Sequence, residues 1–281
     1  MRLRDVRDIQ LQSILNEQRG MSFSHVTKLR MVMQELFHQA YRSRLIPFDP
    51  SDGLRLPKNV KGSHRSITEE ERAHILEVAQ YHPSGLWVLL ILYSGLRPGE
   101  AAALQWKDID FDKNEIHVYK AVESGTNTIK TPKTVAGIRD IPMRKELRRV
   151  LWQEHGEPFS LLFPTRKGTI RGPSGIWKLW SSFAKELDLH MGALEEDGRI
   201  LQHAIAPDLT TYCLRHTFCT DLQRAGVAIN IAKELMGHSS IAVTADIYTH
   251  RDSDVLHKNI SRLDTQATNQ VVKMGENWWG N

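Results

Sequence analysis

The segment Thr211-Tyr212-Cys213-Leu214-Arg215-His216-Thr217 is followed by Gly237-His238-Ser239-Ser240 and then by Tyr248. Working back toward the N-terminus, Lys133 and the stretch Ser94-Gly95-Leu96-Arg97-Pro98-Gly99-Glu100 complete an ordered set of chemically capable side chains. Two arginines, a lysine, a histidine and a tyrosine make a poor metal site, because four of the five lack the thiolate, imidazole or carboxylate donors that metals favour. They suit a phosphodiester instead. Guanidinium forks match non-bridging phosphate oxygens, and a phenol can act as a covalent nucleophile once those charges are in place. The implied substrate is DNA.

Composition narrows the alternatives. The 281 residues are 41% hydrophobic and 25% charged, in the range of water-soluble globular domains and long enough for two of them. The longest apolar run, Leu86 to Tyr93, falls short of the ~20 residues of a membrane span. The opening Met1-Arg2-Leu3-Arg4-Asp5 lacks the apolar core of a signal peptide, so the expected location is cytoplasmic, with no membrane partner. Cys213 and Cys219 are the only cysteines, which excludes a disulfide framework. The net charge is +4 overall, yet residues 1–65 hold 12 Lys and Arg against 6 Asp and Glu, a basic segment suited to gripping a polyanion.

Periodicity predicts a mainly α chain with a small antiparallel β-sheet. Leu3, Val6, Ile9, Ile14 and Leu15 have helical spacing up to Gly20. A second helix, capped by Ser22 or Ser24, places Val26, Leu29, Met33, Leu36, Phe37 and Ala40 on one face. Residues 47–66 contain Pro47, Pro50, Pro57, Gly53 and Gly62 and read as an extended linker. A helical domain over 1–60 and a second domain over 61–281 are expected. The second opens on Thr68-Glu69-Glu70-Glu71, a capping-box pattern. It continues with a helix from Ser84 to Tyr93 broken at Gly95, and a restart at Pro98. Trp106 to Asp110, Glu115 to Ala121 and Ile138 to Pro142 read as strands, and residues 187–209 as an inserted loop. Asp108-Ile109-Asp110-Phe111-Asp112 fails as a calcium loop, since Lys113 and Tyr119 stand where glycine and the terminal glutamate belong.

The order Arg97, Lys133, Arg215-His216, Gly237-His238, Tyr248 resembles the tyrosine recombinases, the integrases of phages and mobile genetic elements together with the Xer proteins. The resemblance extends to the first domain through Phe37-His38-Gln39-Ala40-Tyr41 and Arg44-Leu45-Ile46-Pro47. It implies a helical core-binding domain, short at its start, and a catalytic domain. It also implies site-specific DNA recombination through a 3′-phosphotyrosyl intermediate, with neither cofactor nor metal. Double-stranded DNA is the implied partner, bound by a homotetramer. Arg97 and Arg215 would hold the phosphate, His238 would assist, Tyr248 would attack, and Glu100 would orient Arg97. Lys133 would be the general acid, with Lys130 as the competitor.

One position departs from the family. A histidine usually stands three residues before the second arginine, and here it is Tyr212, which can donate a hydrogen bond but cannot act as a base near neutral pH. Two rival readings follow: a DNA-relaxing enzyme of the type IB topoisomerase kind, or a catalytically impaired DNA-binding relative. After the nucleophile, Leu256, Ile260 and Leu263 recur at helical spacing, and this tail is expected to pass to a neighbouring subunit.

Overall fold

The computed structural model describes residues 2–57, 65–123, 125, 127–132 and 135–248, without the side chains of 135 and 246–248. Two compact units divide the chain, Met1–Ser63 and His64–Asn281.

In the first unit α1 (Asp8–Glu17) packs on α2 (Phe23–Arg42). Ser22 caps α2, its Oγ accepting from the His25 amide at 3.2 Å. Leu11 and Leu15, one turn apart, meet Val26, Met33, Phe37 and Ala40 in the core. The stripe expected before Gly20 is therefore only partly the buried one. A 3₁₀ turn at Leu3–Asp5 ends before α1 begins, and this restart turns Ile9 and Ile14 outward and Leu11 inward. Leu36 also faces out. The proline-rich stretch is folded at its start: Ile46 and Leu54 join the core, and the Asp49 carboxylate accepts from the Ser51 amide and hydroxyl and pairs with His38.

The second unit is built around α4 (Gly85–Ser94), whose Trp87, Val88, Leu90, Ile91 and Leu92 are completely buried. Each such side chain contributes about 1.5–3 kcal/mol by leaving water. A helix apolar on every side needs cover on every side. Neighbours of α4 include α5 (Pro98–Ala103), α6 (Lys145–Gln153), α7 (Pro173–His190) and α8 (Thr211–Arg224). Ahead of it, α3 (Glu69–Val78) has the capping box of Thr68 and Glu71, the two bonds being 3.0 and 2.8 Å.

Strands β1 (Ile109–Asp110), β2 (Glu115–Val118) and β5 (Arg139–Pro142) form an antiparallel sheet in the order β1-β2-β5, with His117 opposite Asp140. β3 (Ala121–Val122) pairs with β4 (Ile129–Lys130). Two expectations need correction. Trp106–Asp108 is a 3₁₀ turn rather than a strand, because the Asp108 carboxylate accepts from the Gln105 amide at 2.8 Å and curls the backbone back. The stretch 187–209 contains a hairpin of β6 (Leu194–Glu196) and β7 (Arg199–Gln202). The buried Asp188 anchors it by accepting from the amides of Ala204 and Ile205 at 2.7 and 3.0 Å. Finally α9 (Ile229–Met236) and α10 (Ile241–Tyr248) pack together, α9 against β5 and α10 against α8.

Candidate active site

The last carbonyls of an α-helix lack intrahelical partners and lie at the negative end of its dipole. At the end of α9 three consecutive ones each accept from a different arginine. Leu235 O takes Arg139 Nε at 2.8 Å, Met236 O takes an Arg215 Nη, and Gly237 O takes Arg97 Nη2 at 2.8 Å. The three guanidiniums come from β5, α8 and the α4–α5 junction, far apart in sequence and gathered by one helix end.

Each arrives for a local reason. Gly95 ends α4 in the left-handed region at φ 64°, and a Cβ there would lie 2.4 Å from Phe218 Cδ1. This close approach lets Arg215, on α8, donate to Gly95 O. Arg97 is the N-cap of α5, with Pro98 at the first helical position. Glu100, one turn on, accepts from the Arg97 amide at 2.8 Å and from Arg97 Nη1 at 2.7 Å. The same carboxylate accepts from Arg139 Nη2 at 2.9 Å and Nη1 at 3.2 Å. Gly237, at φ 62°, closes α9 where a Cβ would lie 2.7 Å from Arg139 Nη1.

Electrostatics follow from burial. Burial alone would raise the Glu100 carboxyl, but Arg139 and then Arg97 overcome it and hold its pKa at about 2. Since this folded value lies below the unfolded one, the interaction stabilises the fold at neutral pH. The stabilisation fades as pH falls from the ordinary carboxyl range toward about 2. Burial, then the charges of Arg97 and Arg139, lower the Arg215 guanidinium to about 9, so it remains cationic at pH 7. His238 follows Gly237 directly, and its Nδ1 lies 2.9 Å from Thr244 Oγ1. Burial, then Arg215 and Arg97, push its pKa down to about 4, leaving a neutral imidazole beside three guanidiniums and one carboxylate. Arg139 and Arg215 are buried, whereas the Arg97 side chain is 39% exposed. The cluster thus carries surplus positive charge with one guanidinium open to solvent, an arrangement suited to an anion.

Among the residues singled out from sequence, Arg97, Arg215 and His238 come together here. Tyr212 is 48% exposed in the first turn of α8, one turn before Arg215. Tyr248 is the final residue of α10, and its side chain lies outside the described residues, as does Lys133. Lys130 is on β4, with its Nζ 2.6 Å from Glu123 Oε1. Arg139 escaped sequence reasoning. A signal existed in the alternation of Arg139-Asp140-Ile141-Pro142, which puts the arginine on the same strand face as the buried Ile141. A charged residue at a core-facing strand position requires a buried partner.

Comparison with known proteins follows the same lines. Residues 65–254 match the model of the phage integrase family. A XerC-like tyrosine recombinase of Caldanaerobacter subterraneus subsp. tengcongensis is 29% identical over 269 residues, covering 89% of this chain and 68% of that protein. The transposase of transposon Tn916 from Enterococcus faecalis is 25% identical over 280 residues, covering 90% of this chain and 65% of its own length. The chain therefore spans about two thirds of the length of these relatives. The Tn1549 transposon integrase in complex with a circular intermediate DNA shares the fold at a TM-score of 0.71 and 21% identity, over 92% of this chain and 86% of that one. With a family match over most of the chain and this fold, the protein belongs to the phage integrase family, among the tyrosine recombinases.

Proposed function

We propose that the protein is a site-specific DNA recombinase that cuts and rejoins duplex DNA through a covalent 3′-phosphotyrosyl intermediate. The observation that carries this reading is the set of guanidiniums held at the end of α9 with the neutral His238 beside them. Fixed cations in a desolvated site stabilise charge developing on a phosphoryl group without the reorganisation water would need. Family membership supplies the context.

Arg97 and Arg215 bind the non-bridging oxygens of the scissile phosphate. Tyr248 Oη attacks phosphorus and loses its proton as the bond to the 5′-oxygen breaks. Lys133 gives that oxygen a proton, and a 5′-hydroxyl leaves. With Nδ1 of His238 engaged by Thr244, Nε2 is the nitrogen offered to a phosphoryl oxygen or to the tyrosine proton. Glu100 and Arg139 hold Arg97 in place, and Tyr212 donates its hydroxyl to a phosphate oxygen. Attack by the 5′-hydroxyl of a second strand reverses the step, so the energy of the broken bond is kept. Duplex DNA is the partner, a reading supported by the circular intermediate DNA bound in the Tn1549 integrase complex. A homotetramer working in the cytoplasm completes the proposal. Among the described residues no helix is long and apolar enough to cross a membrane. The tail carrying Leu256, Ile260 and Leu263 lies outside the described residues and is assigned the role of subunit connector.

Exchange between two attachment-site duplexes of different length tests this. Recombinant products should form in a chelator and fall steeply as salt rises, because cations bound to DNA compete with the protein for phosphates. Relaxation of supercoils without exchange would favour the topoisomerase reading. A requirement for Mg²⁺ would favour a metal nuclease.

A further inference from the structure

Away from the arginine cluster, three groups among the described residues bring histidine and carboxylate donor atoms within 4.8 Å of one another. Two of these are histidines hydrogen-bonded to a carboxylate. His38 has one ring nitrogen against Asp49 and the other 3.8 Å from Asp52, and His117 lies 2.6 Å from Asp140 and 3.7 Å from Asp110. The hydrogen bonds to Asp49 and Asp140 lead the causes that raise these imidazoles' pKa values. In each, the carboxylate already occupies a ring nitrogen as its hydrogen-bond partner.

The third group is built differently. His74 and Glu77 stand at i, i+3 on α3, so they share a face, and His190 is the last residue of α7. The Nδ1 atoms of the two histidines face each other at 3.0 Å. Two imidazole nitrogens that close cannot both carry a hydrogen, so they share one electrophile, either a proton or a metal ion. An ion about 2.0–2.1 Å from each nitrogen in tetrahedral geometry sets them about 3.3 Å apart, a small adjustment. Glu77 Oε2 is 3.4 Å from His190 Nε2, and its side chain, 61% exposed, has room to swing onto a ligand position. The C-terminal end of α7 adds a favourable field for a cation.

We propose that His74, Glu77 and His190 bind a divalent transition-metal ion of the zinc class, with water completing its shell, which ties α3 to the end of α7. Two imidazoles and one carboxylate suit Zn²⁺ far better than Mg²⁺, which prefers oxygen ligands. The site is independent of every catalytic assignment above, and its ion takes no part in phosphoryl transfer.

Calorimetric titration of the metal-stripped full chain with Zn²⁺ tests the proposal, beside His74→Ala, His190→Ala and Glu77→Gln. Other histidines can also bind zinc, so the diagnostic is one equivalent present in the unsubstituted protein and lost in both histidine variants. Glu77→Gln should weaken that equivalent on the order of ten-fold or more, since even residues behind the ligands commonly contribute 10–100-fold. Zn²⁺, but not Mg²⁺, should raise the melting temperature of the unsubstituted chain and not of the histidine variants. Should a variant fail to fold, imidazole NMR spectra of the unsubstituted chain must show His74 and His190 shifting together with Zn²⁺. The same stoichiometry and affinity in all four proteins, or Zn²⁺ shifts confined to other histidines, would overturn it.

Discussion

Tyr248→Phe abolishes the covalent protein–DNA adduct and leaves DNA binding unchanged. The substitution removes one oxygen atom, the proposed attacking atom, and keeps the ring at the end of α10. Uniform loss of binding is not expected, because the phosphate contacts reside on the guanidiniums rather than on the phenol. The measurement is a denaturing gel after incubation with nicked attachment-site DNA, beside a gel shift on the intact site. Tyr212 is the rival nucleophile, being a tyrosine 48% exposed one turn before Arg215. An adduct that persists in Tyr248→Phe, or one whose peptide maps to Tyr212, refutes the assignment.

Arg215→Ala lowers the single-turnover cleavage rate on the order of 10²-fold or more, the scale seen when one preorganised donor to a transition-state oxyanion is removed. It also costs stability, since the side chain joins Gly95 O to Met236 O across the α4–α8–α9 junction and leaves two buried acceptors unpaired when cut away. Cleavage is therefore measured well below the variant's own melting temperature. Arg215→Lys should recover part of the fold and little of the rate, because an ammonium cannot span two carbonyls and a phosphate oxygen as a planar fork does. Tyr212→His should leave cleavage intact or raise it. If Arg215→Ala cleaves normally, the cation cluster has another purpose. If Tyr212→His is inactive while folded, the tyrosine carries a role that its hydrogen-bonding capacity alone does not explain.

Local codes were readable wherever a short-range interaction dictates the backbone. Thr68 and Glu71 close a box within one turn, Gly95 supplies the positive φ that ends α4, and Pro98 starts α5. The central, uniformly apolar α4 and the family order of Arg97, Arg215, Gly237-His238 and Tyr248 were equally plain in the chain. The misreadings arose where a side chain reaches back to redirect the backbone. Asp108 turns the start of an expected strand into a 3₁₀ turn. Asp188 organises a hairpin from a stretch that looked like a loop of glycines and acids.

By itself, the sequence determined the family, the mainly helical architecture with its small sheet, and which side chains are chemically able to handle a phosphodiester, because residue type and spacing encode those directly. What it left open was how cations are brought together against their mutual repulsion. That was decided by the end of α9, whose Leu235, Met236 and Gly237 carbonyls each take one guanidinium, and by Glu100, which bridges Arg97 and Arg139. The low pKa of His238 has the same origin, arising from burial beside those charges. None of these effects belongs to a single residue. Each is a field set up by groups from β5, α5, α8 and α9, and only the tertiary fold makes them neighbours.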